Sequence, residues 1–278
     1  MLNQKNNRTT ELYPMKHFLF WLLIITSFFQ LRAQSLIHAH NDYEQPKLLF
    51  NALQYKAYSI EADVYLRNGQ LVVAHNKQDV AVAPPLDSLY LQPIIRLFKK
   101  NTGRISKSNT YAPVLMIDIK ESGEAVLAAL IQLVAGHPSI FDRSVNPMAV
   151  QLVISGDRGP QAKWTSYPSA ILFDGRPYEI YDSITLQRVA FISDNYSNNV
   201  TVADSTGRIK QLVASIHGKG KLLRLWAIPD NTAAWLRLKE MGVDIINTDK
   251  VRECREFFLT QRKRKVNTHR GTQRIAAQ

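Results

Sequence analysis

Along the chain, short runs of apolar and β-branched residues alternate with stretches of helical character. The runs are Leu36–His40, Ser59–Val64, Val114–Lys120, Ala149–Ser155, Ala170–Asp174, Arg188–Asp194, Leu222–Ile228 and Asp244–Thr248. Each is strand-length and dense in Val, Ile, Leu or Phe, the pattern of strands buried on both faces. Helix candidates with recognisable ends lie between them. Pro46 stands at a favoured first helical position ahead of Leu48, Leu49 and Phe50. Ser122 is the expected N-cap of Glu124–Ala135, with Gly136 as its stop; Asn231 is the expected cap of Thr232–Met241, before Gly242. The connection from Ser155 to Ala170 carries the weakest helical signal. Strands alternating with helices predict a parallel sheet. Eight of them predict one α/β domain, a TIM-type (β/α)8 barrel over residues 34–260. An open doubly wound sheet is the alternative arrangement.

The second run continues into a hairpin. Glu61 to His75 reads EADVYLRNGQLVVAH, and Asn68-Gly69 between alternating apolar residues is a strong two-residue turn signal. With that turn, Arg67 faces Gln70, and the register brings His75 opposite Ala62, beside Glu61 and Asp63. A small β-hairpin insertion after the second strand is therefore expected.

The two ends of the chain depart from this pattern. Residues 1–33 form an N-terminal extension and a secretory signal: a basic start at Lys16, an apolar run from Phe18 to Ile25, and a small residue, Ala33, at the expected cleavage point. The run is short for a membrane span, which takes about 20 apolar residues. Export to the periplasm, the outer surface or the medium follows as the expectation. The formal charge of +12 is partly local, because residues 261–278 are basic and poor in apolar residues. That segment reads as a solvated, disordered tail that could touch an anionic membrane surface. Basic residues interleaved with aromatics are absent, so nucleic acid is not an expected partner, and nothing implies an obligate protein partner. Cys254 is the only cysteine, which excludes an intramolecular disulfide and a cysteine-based zinc site.

Candidate chemistry collects at the strand ends. His38 and His40 close the first run, Glu61 and Asp63 lie in the second, and Asp118 and Lys120 close the third. Each pair is spaced i, i+2, so both members face one side of the strand. In such barrels the C-terminal strand ends form the catalytic mouth. Glu61, Asp63 and Asp118 offer carboxylate oxygens without thiolates, which suits a hard divalent cation, Mg²⁺ or Ca²⁺. Three carboxylates gathered without a cation would be costly to bury. Histidines beside such an ion can act as general base and general acid. Lys120 adds positive charge for an anionic oxygen.

Taken together, His38-Ala39-His40-Asn41-Asp42-Tyr43, the Ser59–Val64 strand, Ala74-His75 and Met116-Ile117-Asp118-Ile119-Lys120 resemble the glycerophosphodiester phosphodiesterase and phosphatidylinositol-specific phospholipase C superfamily. Leu225–Ile228, Trp235 and Gly242–Asp249 are similar to its last two strands and intervening helix, so the resemblance spans about residues 36–250 and thins between 140 and 220. It implies a TIM-type barrel that hydrolyses a phosphodiester of glycerophosphodiester or phospholipid type. His40 and His75 map to the acid–base pair, Glu61, Asp63 and Asp118 to the metal ligands, and Lys120 to a phosphate contact. Trp226 maps to an apolar wall of the substrate pocket, with His38 and Asn41 as further substrate contacts. The resemblance also implies a substrate hydroxyl neighbouring the phosphate as an attacking group, giving a cyclic phosphate that water then opens. Two positions depart from the pattern. The usual His-Arg-Gly is here His-Ala-His-Asn, which removes the phosphate-binding arginine and leaves His38 in reserve behind His40. Asp118 stands where many glycerophosphodiesterases carry glutamate, as in the sphingomyelinase-D-like branch.

Two other functions compete. A metal-dependent amidohydrolase or polymerase-and-histidinol-phosphatase barrel also opens on His-x-His, but needs histidines on later strands. Ser155, Asp174 and Asp194 stand there instead. A non-catalytic exported binding barrel would tolerate loss of at least one of the two histidines or three acids, and all five are present.

Overall fold

The computed structural model describes residues 35–200 and 206–275; the expected secretory signal and its boundary at Ala33 lie outside the described residues. All the anticipated runs are strands. They are β1 (Leu36–Ala39), β2 (Ser59–Arg67), β4 (Val114–Ile119), β5 (Gln151–Gly156), β6 (Ile171–Gly175), β7 (Val189–Asn195), β8 (Leu223–Trp226) and β9 (Ile245–Thr248), with β3 (Gln70–Val73) as the extra hairpin strand. Their order is β1-β9-β8-β7-β6-β5-β4-β2, and β1 pairs with β2, so eight parallel strands close a barrel. The open alternative is excluded. β3 runs antiparallel beside β2, with Arg67 opposite Gln70 and Val64 opposite Val73, and the Ala74 N–H continues the ladder to the Asp63 carbonyl.

Alternation along the strands sorts side chains into two compartments. Ile37, Ile60, Ala62, Ile117, Leu152 and Phe173 point outward and pack under the helices. Val114, Met116, Val153, Phe191 and Ile245 point inward and fill the base of the barrel. Each such buried aliphatic or aromatic side chain stabilises the fold by about 1.5–3 kcal/mol. Toward the C-terminal strand ends the inward positions become polar, at His38, Glu61, Asp63, Ser155, Asp174, Ser193 and Arg224, all buried.

The helices that follow the strands are α1 (Phe50–Gln54), α2 (Gln92–Lys100), α3 (Gly123–Val134), α4 (Pro138–Phe141), α5 (Ser183–Gln187), α6 (Thr206–Gly218), α7 (Thr232–Met241) and α8 (Val251–Ile275). The connection after β5 is only a 3-10 turn, Gln161–Ser166. Asn231 caps α7 as expected, accepting the Ala234 N–H at 3.0 Å, and Gly242 ends it at φ 95°. Ser122 does not cap α3. Its backbone is left-handed and its hydroxyl makes no capping bond; the Gly123 N–H instead donates to Asp157 Oδ2 at 2.8 Å. A Cβ at Gly123 would stand 2.4 Å from the Asp157 carbonyl oxygen, so glycine alone permits this approach.

A second correction concerns the basic tail. Residues 261–275, expected to lack regular structure, continue α8. Val251, Cys254 and Phe258 bury its first turns, which removes the cost of nucleation, and Arg, Lys and Gln are good helix formers. No helix among the described residues is long and apolar enough to cross a membrane.

Candidate active site

The floor of the site is an ionic layer inside the barrel. His38 is fully buried and its Nε2 lies 2.7 Å from Glu61 Oε2. Burial and the nearby Arg224 guanidinium pull the His38 imidazole down to about 4. Burial alone would raise the Glu61 carboxyl, but the bond from His38 and the charge of Arg224 outweigh it and hold Glu61 below the usual carboxylate range. A neutral His38 therefore donates its Nε2 proton to an ionised Glu61. Opposite them, Asp174 accepts from Ser155 (3.0 Å) and Ser193 (2.6 Å) and pairs with Arg176 at 2.9 Å. His38, expected among substrate contacts, is thus sealed beneath the rim, where it orients Glu61.

Above this floor, β2 and β4 bring the acids together, with Asp63 opposite Asp118 in the ladder. Ligand oxygens of Glu61, Asp63 and Asp118 all lie within 4.8 Å of one another. The Lys120 ammonium sits between two of them, 2.7 Å from Asp63 Oδ2 and 2.5 Å from Asp118 Oδ2. Partial burial works against its charge, yet Asp118 and Asp63 together raise its pKa. Asp63 is buried enough that its own carboxyl is raised, with Lys120 working in the opposite direction. Asp63 Oδ2 also accepts from the Tyr43 hydroxyl at 2.9 Å and lies 3.3 Å from His75 Nδ1. Asp63 Oδ1 is buried and has no hydrogen-bond partner. A buried carboxylate oxygen left unpaired, beside two more carboxylates, fits a hard divalent cation.

On the other side of the mouth, His40 Nδ1 bonds Asp249 Oδ1 at 2.7 Å. Burial would lower the His40 pKa, but the Asp249 bond and the charge of Glu61 raise it. Asp249 is itself held, because its N–H donates to Asp230 Oδ2 at 3.1 Å. Asp230 Oδ1 in turn accepts from Thr248 and from the Trp235 indole. His40, Trp226, Ile228, Asp230, Asn247 and Asp249 line a cleft of about 170 Å³. Trp226 is 37% exposed, and Ala227, at φ 54°, turns the chain directly after it.

Every residue expected at the site except His38 thus stands at one barrel mouth. Asn41 lies in the turn after β1 with its side-chain oxygen 3.1 Å from the Tyr43 hydroxyl. Sequence reasoning missed Tyr43, Asp249, Arg224 and Asp174. Of these, Arg224 shares strand parity with Trp226 on β8 and was open to the same i, i+2 argument.

The fold and this mouth define a class, the closed (β/α)8 barrel with an acidic, histidine-flanked site at one mouth. Two solved glycerophosphodiester phosphodiesterases show the same fold. The one from Parabacteroides distasonis has a TM-score of 0.53 at 14% identity, covering 82% of this chain and 97% of that one. The one from Agrobacterium tumefaciens has a TM-score of 0.50 at 14% identity, covering 81% and 100%. More particularly, residues 28–138 match the family model of the AIM6-like phosphodiesterase domain. Altered inheritance of mitochondria protein 6 of Eremothecium gossypii is 27% identical over 274 residues, 80% of this chain and 69% of that protein. Its homolog in Arthroderma benhamiae is 24% identical over 269 residues, 80% and 83% of the two chains. These similarities support the resemblance to the glycerophosphodiester phosphodiesterase-like superfamily drawn from the motifs.

Proposed function

We propose that the protein is a metal-dependent phosphoric diester hydrolase acting on a glycerophosphodiester or phospholipid-type substrate. The observation that carries this reading is the buried, unpartnered Asp63 oxygen within a trio of carboxylates, flanked by two histidines at one barrel mouth. Glu61, Asp63 and Asp118 would hold Mg²⁺ or Ca²⁺. When bound, such a cation stabilises negative charge on the phosphoryl oxygens.

The chain's own groups supply the proton transfers. His40, its pKa raised by Asp249, is the general acid and delivers a proton from Nε2 to the leaving oxygen. His75 takes the proton of the attacking oxygen, that of water or of a neighbouring substrate hydroxyl. Lys120, released from its carboxylate partners, binds a non-bridging phosphate oxygen. Trp226 covers the apolar part of the substrate beside His40. Export after Ala33, and contact of the basic α8 end with an anionic membrane, complete the proposal; both place the enzyme near lipid substrates.

The test is hydrolysis of a chromogenic phosphodiester and a panel of glycerophosphodiesters and lysophospholipids by protein starting at Gln34. Turnover that needs Mg²⁺ or Ca²⁺ and is lost in His75→Ala supports the reading. Turnover only with transition metals would favour an amidohydrolase-like barrel, and none with any metal a binding protein.

A further inference from the structure

Tyr43 has no part in the chemistry described so far, yet it joins three groups of the mouth. Its hydroxyl lies 2.9 Å from Asp63 Oδ2, 3.1 Å from His75 Nδ1 and 3.1 Å from Asn41 Oδ1. A phenol has one proton to give and two lone pairs to receive with. Asp63 Oδ2 and Asn41 Oδ1 can only accept, so the single phenolic O–H is donated between these two, chiefly to the nearer, ionised Asp63, and none is left for His75. The Tyr43 oxygen is then an acceptor. His75 Nδ1 must therefore carry a hydrogen, because a bare nitrogen there would face a lone pair across 3.1 Å. The 3.3 Å approach of the same Nδ1 to Asp63 Oδ2 demands the same proton.

The turn that delivers Tyr43 is anchored beneath. Asn41 adopts left-handed φ 45° and reverses the chain after β1. Asp42 then points into the protein, where its fully buried carboxylate accepts the Leu49 N–H at 2.5 Å and the Tyr90 hydroxyl at 3.0 Å. One four-residue run thus carries His40 toward Asp249 and Tyr43 toward His75, around a buried pin. Both imidazoles of the mouth are set by the same turn.

We infer that Tyr43 is a positioning residue: its hydroxyl locks His75 in the Nδ1–H tautomer and occupies Asp63 Oδ2, leaving His75 Nε2 free for substrate and Asp63 Oδ1 free for a cation. This rests on the phosphodiesterase reading for its kinetic consequence only; the tautomer and the cation affinity can be measured without turnover. Partners of this kind typically contribute about 10–100-fold to activity or metal affinity.

The experiment uses Tyr43→Phe, which keeps the ring and removes only the hydroxyl. ¹⁵N NMR of the histidine rings, at a pH where His75 is neutral, is expected to show Nδ1–H in wild type and a shift toward the Nε2–H form in the variant. Mn²⁺ titration followed by electron paramagnetic resonance is expected to show about tenfold weaker binding. With a turned-over phosphodiester, kcat should fall about 10–100-fold with KM within about twofold. At saturating cation, where the Asp63 contact no longer limits occupancy, adding Tyr43→Phe to His75→Ala should cost little more in kcat, because the hydroxyl then acts through His75. An unchanged His75 tautomer with unchanged Mn²⁺ affinity would overturn the inference. If wild type hydrolyses no phosphodiester, the functional reading fails, and the NMR and Mn²⁺ results still decide the role of Tyr43.

Discussion

Gly156 offers a sharp test of how tightly the acid cluster is built. It ends β5 at φ +66°, in the left-handed region. A Cβ at this position would lie 2.1 Å from the Ile119 carbonyl oxygen and 2.8 Å from Asp118 Oδ1. The Ile119 carbonyl cannot swing aside freely, because it accepts the Asp157 N–H at 2.8 Å. In Gly156→Ala the left-handed backbone costs about 1–2 kcal/mol. Forcing a methyl into this contact adds about 1–3 kcal/mol more. The expected loss is therefore about 2–5 kcal/mol, read as a lower urea midpoint at unchanged slope. Asp118 has to move as well, so Mn²⁺ affinity should fall about tenfold or more. Gly69→Ala is the control: φ is +77° there, but an added Cβ meets nothing within 4 Å. It should lose only the backbone share, about 1–2 kcal/mol, and leave Mn²⁺ binding unchanged. If Gly156→Ala is no less stable than Gly69→Ala, or binds Mn²⁺ as wild type does, the close-packed mouth is wrong.

Other perturbations address single groups. Asp249→Asn weakens the bond that, with the charge of Glu61, raises the His40 pKa, so the alkaline limb of kcat/KM should move to lower pH, with kcat down about 10–100-fold; an unmoved limb would remove His40 as the acid. Lys120→Met deletes the cation between Asp63 and Asp118 and should lower kcat/KM about 100-fold or more on any phosphodiester, as loss of a charge-stabilising donor does. Near-wild-type turnover would exclude its phosphate contact. His38 resists protonation down to about 4, whereas the unfolded chain takes its proton near 6.5. The unfolded state binds more protons in that window, so stability should drop as pH falls from about 6.5 toward 4. Urea midpoints across pH for wild type and His38→Gln check this, and equal pH slopes for the two would contradict it. Asn231→Ala removes the α7 cap and should lower stability by about 1 kcal/mol without touching activity.

Much of this was legible because barrel strands are buried on both sides. That makes each strand a continuous apolar run, against which an inward polar residue at i, i+2 stands out. Glu61 with Asp63, and Asp118 with Lys120, were visible for that reason, and Asn68-Gly69 set the hairpin register that carries His75 home. What stayed hidden depends on partners distant in sequence. Asp249 reaches His40 across 209 residues, and Tyr43 reaches Asp63 across 20 after a left-handed turn at Asn41. The α3 cap comes from Asp157 rather than the adjacent Ser122, since the β5–β6 connection lies against the helix start. His38 and His40 have the same local signature, and only closure of the barrel distinguishes the buried one from the one at the rim. The tail failed as an expectation because composition registers its charge but not the apolar anchor at Val251, Cys254 and Phe258.

The central claim is that Glu61, Asp63 and Asp118 form a divalent-cation site on which phosphodiester cleavage depends. Its most direct test titrates Mg²⁺ or Ca²⁺ into chelator-stripped protein, following heat of binding and phosphodiester turnover in the same preparation, with Asp63→Asn as control. One cation per chain should bind, turnover should rise in step with occupancy, and both should vanish in Asp63→Asn. Turnover that persists in full after chelation, or cation binding that survives Asp63→Asn unchanged, would contradict the claim.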